Sequence, residues 1–399
     1  MGRKDNEAEY ILVTGGLGFI GSHTSLELLK AGYNIIIVDN LSNSYEDVYN
    51  RILLAAKIHH SKQSTSCPKA ELCCADYRDT TAMSLILSNH ATLTPTEPRK
   101  SNITGVIHFA AYKQVPESIT HPLKYYRNNI HGLIDLLTLL DTHEIKTFIF
   151  SSSAAVYGTL SESTTTTTLR EEDCVHEPES YFDSHSESQR VSTQGCTGIT
   201  NPYGRTKFFA EAILSDICKS DPSWTVVALR YFNPIGCDSS GLLGEDPRAS
   251  ASNLFPAAIR VLTGQKPELY IYGADWDTPD GSAIRDFIHV TDLARGHTAA
   301  LSAAQLGKVT EGFRTYNLGT GTGHSVLEVV RTLEEVWERE IPVRVVGRRE
   351  GDVGVCVARS ERAESELGWR TRMGLREACV DAWKYLGGRE RAVGLHRFS

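Results

Sequence analysis

The chain has 399 residues, enough to bury a large core and to form two domains. Hydrophobic residues make up 41% and charged residues 23%, and the net charge of −8 argues against a nucleic-acid or anionic-membrane surface. The nine cysteines are scattered, without a Cys-x-x-Cys pair, which fits free thiols in a reducing, cytosolic setting better than a disulfide framework or a cysteine zinc site. No apolar run is long enough to span a bilayer, and the polar stretch from Met1 to Glu9 holds no signal-peptide core.

Tyr10 to Thr14 is a short, β-rich apolar run and reads as a buried strand. Gly15, Gly18 and Gly21 follow, with Phe19 and Ile20 between them, and a helical pattern runs on from Ser22 to Lys30. Strand, glycine turn and helix form a phosphate cradle, because the helix start offers free N–H groups and the positive end of its dipole. Asn34 to Val38 is a second strand, ended by Asp39 and Asn40. A carboxylate there accepts from an adenosine ribose and repels a 2′-phosphate, which favours NAD over NADP.

The alternation continues with a helix over Glu46 to His60, a strand over Ala70 to Ala75 ending in Asp76-Tyr77, and a helix over Arg78 to His90. A polar loop is expected from Leu93 to Asn102. The fourth strand, Ile103 to Ala110, contains Phe109 and Ala110 and leads to Lys113. A long helix, Pro122 to His143, carries Asn128 and precedes the fifth strand, Thr147 to Ser151. Strands alternating with helices predict an α/β fold built on a doubly wound parallel Rossmann sheet, with ligands at the carboxyl ends of the strands. At the end of the fifth strand stand Ser151, Ser152 and Ser153. Ser151 and Ser152 read as turn serines bonding local backbone, and Ser153 as a partner for a substrate hydroxyl.

Residues 159–200 break the pattern with five consecutive threonines, Thr164 to Thr168, and few large apolar side chains. This reads as a mobile surface insertion. Then comes Asn201-Pro202-Tyr203-Gly204-Arg205-Thr206-Lys207. Pro202 suits a first helical position, which sets Tyr203 and Lys207 one turn apart on one face. An ammonium beside a phenol favours phenolate and makes a base; alone, the pair fits an ordinary amphipathic helix better.

Beyond that helix, predicted to end at Lys219, lie a sixth strand, Trp224 to Tyr231, and the run Phe232-Asn233-Pro234. The pattern then becomes less regular: a helix from Asn253 to Leu262, a strand from Leu269 to Tyr272, and Arg285 to Val290. Thr291-Asp292 read as the cap of another helix. Tyr316 to Leu318 reads as a last strand of the main sheet, and Ser325 to Arg339 and Gly374 to Tyr385 as helices. A NAD-binding unit is expected over 9–232 plus about 285–320. A smaller, mixed α/β C-terminal substrate domain is expected over 233–284 plus 321–390.

In their order, the glycine turn, Asp39, the serine strand end and Tyr203/Lys207 resemble the extended short-chain dehydrogenase/reductase family. The runs Asp39-Asn40-Leu41, Tyr231-Phe232-Asn233-Pro234, Gly244-Glu245-Asp246-Pro247 and Arg348-Arg349-Glu350-Gly351-Asp352 narrow the resemblance to its UDP-sugar 4-epimerase branch. The resemblance implies a tightly held NAD, Tyr203 as base, and Ser153 and Lys207 as its partners. It implies Asp76 and Tyr77 near adenine, Lys113 near the pyrophosphate, and Asn128 beside the nicotinamide end. It assigns UDP-sugar contacts to Asn233, Asn253, Leu254, Tyr272, Arg285, Arg349 and Asp352, and two guanidinium forks suit a pyrophosphate. It further implies a homodimer through the two long helices and, with the last helix close to Ser399, no fused mutarotase. Cys356 stands where narrow-specificity epimerases resemble this chain with a tyrosine, which leaves two readings: room for N-acetylated UDP-sugars, or a buried free thiol of no consequence. Two rival readings are a nucleotide-sugar 4,6-dehydratase, whose Asp-Glu pair is replaced here by Ala154-Ala155, and a non-catalytic NAD-binding regulator.

Overall fold

The computed structural model describes residues 8–92, 100–160, 168–183, 187–193, 195, 198–246, 248 and 253–392. Most of the polar loop expected at Leu93 to Asn102, most of the threonine run, and Pro247 lie outside these residues.

Seven strands form the central sheet. Their spatial order is 313–318, 225–231, 147–151, 103–108, 10–14, 34–39 and 70–74, all parallel. The β-branched runs explain the burial on both faces. Ile11 and Val13 join Ile35 and Ile37 in one core layer, while Tyr10 and Leu12 join Ile36 and Val38 in the other. The order reverses between Tyr10–Thr14 and Ile103–His108, and this switch point opens a crevice at the strand ends.

The helices Phe19–Lys30, Asp47–Gln63 and Val290–Gln305 contribute to one layer. The helices Thr80–Asn89, Gly132–Thr142 and Pro202–Ser220 contribute to the other. The expected helix from Pro122 to His143 is one run with a defect: a π-helical turn over Arg127–His131 joins Pro122–Tyr126 to Gly132–Thr142. The extra residue in such a turn frees local carbonyls and re-aims side chains. Here the Asn128 carbonyl accepts from the Tyr77 hydroxyl, and Asn129 bonds both backbone groups of Tyr112 and the Thr206 hydroxyl.

A separate core gathers Ile235, Phe255, Ile271, Phe287, Leu333 and Tyr385. Strand Ile284–His289 belongs here. It pairs with Asn233–Ile235, Gly323–Ser325 and Val355–Cys356, and it joins the two cores, with Phe287 in this one and Ile288 in the main one. Thr291 and Asp292 are not the cap of the helix Val290–Gln305. His289 takes the N-cap position, its Nδ1 accepting from Thr291 N at 3.1 Å, because Val290 already begins the helix. Asp292 Oδ2 instead accepts from the backbone of Arg372 and Met373.

The stretch 159–200 is not one loose insertion. Leu169 bonds the backbone of Val357 and Arg359. Leu160, Leu169 and Cys174 pack with Val156, Tyr157 and Phe232 in a small core of their own. Only farther on does it become a surface hairpin, Glu179–Asp183 against Ser188–Ser192, with Phe182 and Val191 exposed. Leu160, Leu169 and Cys174 are spaced to fill this small core, which composition averaged over 159–200 conceals.

Candidate active site

At the switch point lies an open cleft. Gly15, Gly18, Phe19, Ile20 and Gly21 form one wall. Gly15 has φ +71°, and a Cβ on it would sit 2.8 Å from Ala110 N; one on Gly21 would sit 2.2 Å from Gly15 O. Both positions therefore require glycine, and the bare backbone at a helix start fits a dinucleotide pyrophosphate. Asp39, Asn40, Tyr77, Phe109, Ala110, Lys113 and Asn128 line the rest of the cleft, and Tyr203 and Lys207 close its end.

Several groups in this cleft already have partners. Asp39 accepts from the backbone N–H of Leu17 and Leu41 and from the Ser44 hydroxyl at 2.6 Å. This carboxylate therefore ties the glycine turn to the second strand. Asp76 bonds Asn40 and Arg78 and stands behind the lining. Those bonds hold its carboxyl well below the usual range, with the Arg78 bond first.

Asn201 caps the helix of the reacting pair, its Oδ1 accepting from Gly204 N at 2.9 Å. The preceding insertion leaves this start intact, and Tyr203 and Lys207 are both buried on one face. Ser153, fifty residues upstream, hydrogen-bonds the Tyr203 hydroxyl. Lys207 Nζ donates to the Ser151 carbonyl at 2.6 Å and lies 6.0 Å from the centre of the Tyr203 ring.

The electrostatics differ from the simple picture of a lysine lowering a tyrosine. Burial raises the Tyr203 phenol above its ordinary value, and the bond from Ser153 opposes the rise. Burial also lowers Lys207 to about 7, against the charge of Glu211, which raises it. Desolvation disfavours both charged forms and outweighs the pairing. Nor are Ser151 and Ser152 local capping serines. Ser151 Oγ meets the Tyr231 hydroxyl at 2.6 Å, and Ser152 Oγ donates to Glu211. Their side chains reach inward because the strand end is covered by the Pro202–Ser220 helix.

The remaining predicted residues fall into small groups outside the cleft lining. Arg349 lies over the Tyr272 ring at 4.2 Å and 3.9 Å from Asp352. Arg285 pairs with Cys356 across two strands and donates to the carbonyls of Ile284, Val353 and Gly354. Asn233 begins a strand opposite Phe287, and Phe232 is buried beside Tyr157. Asn253 takes the N-cap position of the helix Leu254–Leu262 without a side-chain bond, and Leu254 packs on the second core. Sequence reasoning missed Tyr231, which lines the cleft, and the buried charges Glu211 and Arg230 behind it. Charged residues at alternate or helical spacing look solvated until tertiary packing covers them.

The described cysteines are free, and among the described residues no His, Cys, Asp and Glu group is placed to hold a metal. No helix among them is long and apolar enough to cross a membrane.

Crevice, glycine cradle and Ser-Tyr-Lys cluster together define a dinucleotide-dependent enzyme of the short-chain dehydrogenase type. Residues 11–319 match the profile of the NAD dependent epimerase/dehydratase family, and the chain belongs to that family. It is 42% identical to UDP-glucose 4-epimerase of Dictyostelium discoideum over 375 residues, covering 94% of this chain and 95% of that protein. The human UDP-glucose 4-epimerase is 41% identical over 378 residues, covering 95% and 96%. The crystal structure of UDP-glucose 4-epimerase from Bifidobacterium longum, in complex with NAD+ and UDP, superposes with a TM-score of 0.78 at 38% identity, covering 95% of this chain and 98% of that one.

Proposed function

We infer that this protein is an isomerase that interconverts UDP-galactose and UDP-glucose at sugar C4 with a bound NAD. The observation that carries the reading is the Ser153–Tyr203–Lys207 cluster at the end of a cleft whose glycines fit a pyrophosphate. Gly15, Gly21, Asp39, Lys113 and Asn128 would hold the cofactor. When bound, NAD supplies the hydride acceptor and donor for C4 and a positive charge beside the site.

The chain's own residues do the proton work. Tyr203 takes the proton of the 4-hydroxyl as C4 is oxidised and returns it once the keto sugar has presented its other face. A phenol with an ordinary pKa of ~10 is a poor base near neutrality, and burial makes this one worse. The Ser153 hydroxyl favours the phenolate by hydrogen bonding, and Lys207 adds positive charge when protonated. Burial of the site keeps water from the keto sugar. Arg285 and Arg349 would take the UDP pyrophosphate, exchanging carbonyl and aromatic partners for phosphate oxygens.

Purified protein given UDP-galactose should yield UDP-glucose, with transient absorbance of reduced nicotinamide, and Tyr203→Phe should yield neither. A product lighter by one water would instead support the dehydratase reading. Ala154 and Ala155, in the short turn after Ser153, supply no acid or base for such an elimination. Binding of NAD without turnover would support the regulator.

The reading extends to 2-acetamido sugars through Cys356, which packs against the edge of the small core, as Ala154 and Phe208 do. Cys356→Tyr should lose turnover of UDP-N-acetylglucosamine while keeping UDP-glucose; equal retention of both would sink the extension. We also propose a cytoplasmic homodimer. Leu123, Ile134 and Phe209 are exposed on the two helices expected to pair, an apolar set suited to a four-helix contact. Light scattering at the monomer mass would reject the dimer.

A further inference from the structure

Behind Tyr203 and Lys207 the molecule buries an ion cluster that the proton chemistry does not itself use. Glu211 follows Lys207 by one helical turn and is fully buried. Its carboxylate accepts from Arg230 Nη2 at 2.7 Å and Arg230 Nε at 3.1 Å. It also accepts from Ser152 Oγ, and His176 Nε2 stands 2.8 Å away. Arg230 and these bonds hold Glu211 ionised, below the usual carboxylate range despite its burial. An ionised carboxylate only accepts, so His176 Nε2 is the donor.

His176 comes from the Ser/Thr/Glu-rich segment, just before its surface hairpin. Its ring packs on Phe208 at 4.7 Å and meets Phe313 edge-on at 6.0 Å. Ser152, at the other end of the carboxylate, is the middle of three serines. On one side the Ser151 carbonyl holds Lys207 Nζ; on the other Ser153 bonds Tyr203. The place of Glu211 therefore sets the strand end from which both members of the reacting pair are held.

We propose that His176 is a positioning residue for the reaction: by donating Nε2–H to Glu211 it locks the Ser151–Ser153 strand end and so the register of Tyr203 and Lys207. The role rests on the epimerase reading above. It makes the long segment part of the site's support rather than a passive insertion.

Two substitutions separate the hydrogen bond from the packing. His176→Phe keeps a ring against Phe208 and Phe313 but removes the donor. His176→Gln removes the ring but keeps an N–H at similar reach. In steady-state assays of UDP-galactose turnover, His176→Phe should lower kcat on the order of tenfold, the loss of one hydrogen bond to a buried charge, with KM unchanged. His176→Gln should retain most of kcat. His176→Phe combined with Ser152→Ala should be no slower than the slower single variant, since both act on one chain of contacts. Wild-type kcat in His176→Phe, equal losses in the Phe and Gln variants, or losses that multiply in the double variant would each overturn the role. A wild-type protein that makes no UDP-glucose would overturn the functional reading itself, and this role with it.

Discussion

The two ends of the proposed site treat charge in opposite ways. At the reacting end, Lys207, Glu211 and Arg230 are buried, and hydrogen bonds from several distant elements hold them. At the nucleotide end, Arg349 is a third exposed, resting on an aromatic ring and 3.9 Å from its carboxylate. A buried charge is expensive and stays only where neighbours fix it, which gives a rigid geometry and shifted proton affinities. A half-solvated guanidinium pays little to change partners, so it can leave Tyr272 and Asp352 for a phosphate. Rigidity is placed where a proton must move, and exchangeability where a ligand must bind and leave.

Substitutions at the two ends should therefore fail differently. Tyr203→Phe removes the base and should lower kcat on the order of 10³-fold in a UDP-galactose assay while the protein still binds UDP-sugar in calorimetry. Arg230→Met leaves Glu211 without its buried countercharge and should cost about 3–5 kcal/mol in denaturant unfolding. If it cost nothing, the reacting end would not be the rigid one.

Lys207 makes a test by pH. Its folded value of about 7 lies below the ordinary lysine value of 10.5. Between those values the unfolded chain binds the proton and the folded chain does not, so this residue makes stability rise as pH climbs from about 7. Lys207→Met should flatten that rise, so that wild-type stability gains on the variant's as pH increases. The smallest effect is expected at the exposed end. Arg349→Ala should raise KM for UDP-sugar roughly tenfold, with kcat nearly unchanged. A fall in kcat without a change in KM would erase the contrast.

Much of the main sheet is legible in the chain. Strands Tyr10–Thr14 and Thr147–Ser151 lie where apolar, β-branched runs put them. Pro202 begins its helix behind a capping Asn201 as its chemistry demands. What was misread has a common cause. The π turn at Arg127–His131 and the tightly packed stretch around Leu169 both depend on partners far away in sequence, Tyr77 and Thr206 for the first and Val357 and Arg359 for the second.

The same division runs through the site. The sequence by itself determined the glycine cradle, the acidic end of the second strand, and a tyrosine and lysine one helical turn apart, because each is a local pattern with a local physical cause. Only the tertiary structure decided that Ser153 meets Tyr203, that Ser152 faces inward to Glu211, and that a histidine from an apparently bland segment joins them. The two contacts of Glu211 span 59 and 35 residues of sequence and cross elements that pack face to face, so no spacing rule encodes them. The packing also decided the proton affinities, since burial outweighs the charge pairing that the sequence alone suggests.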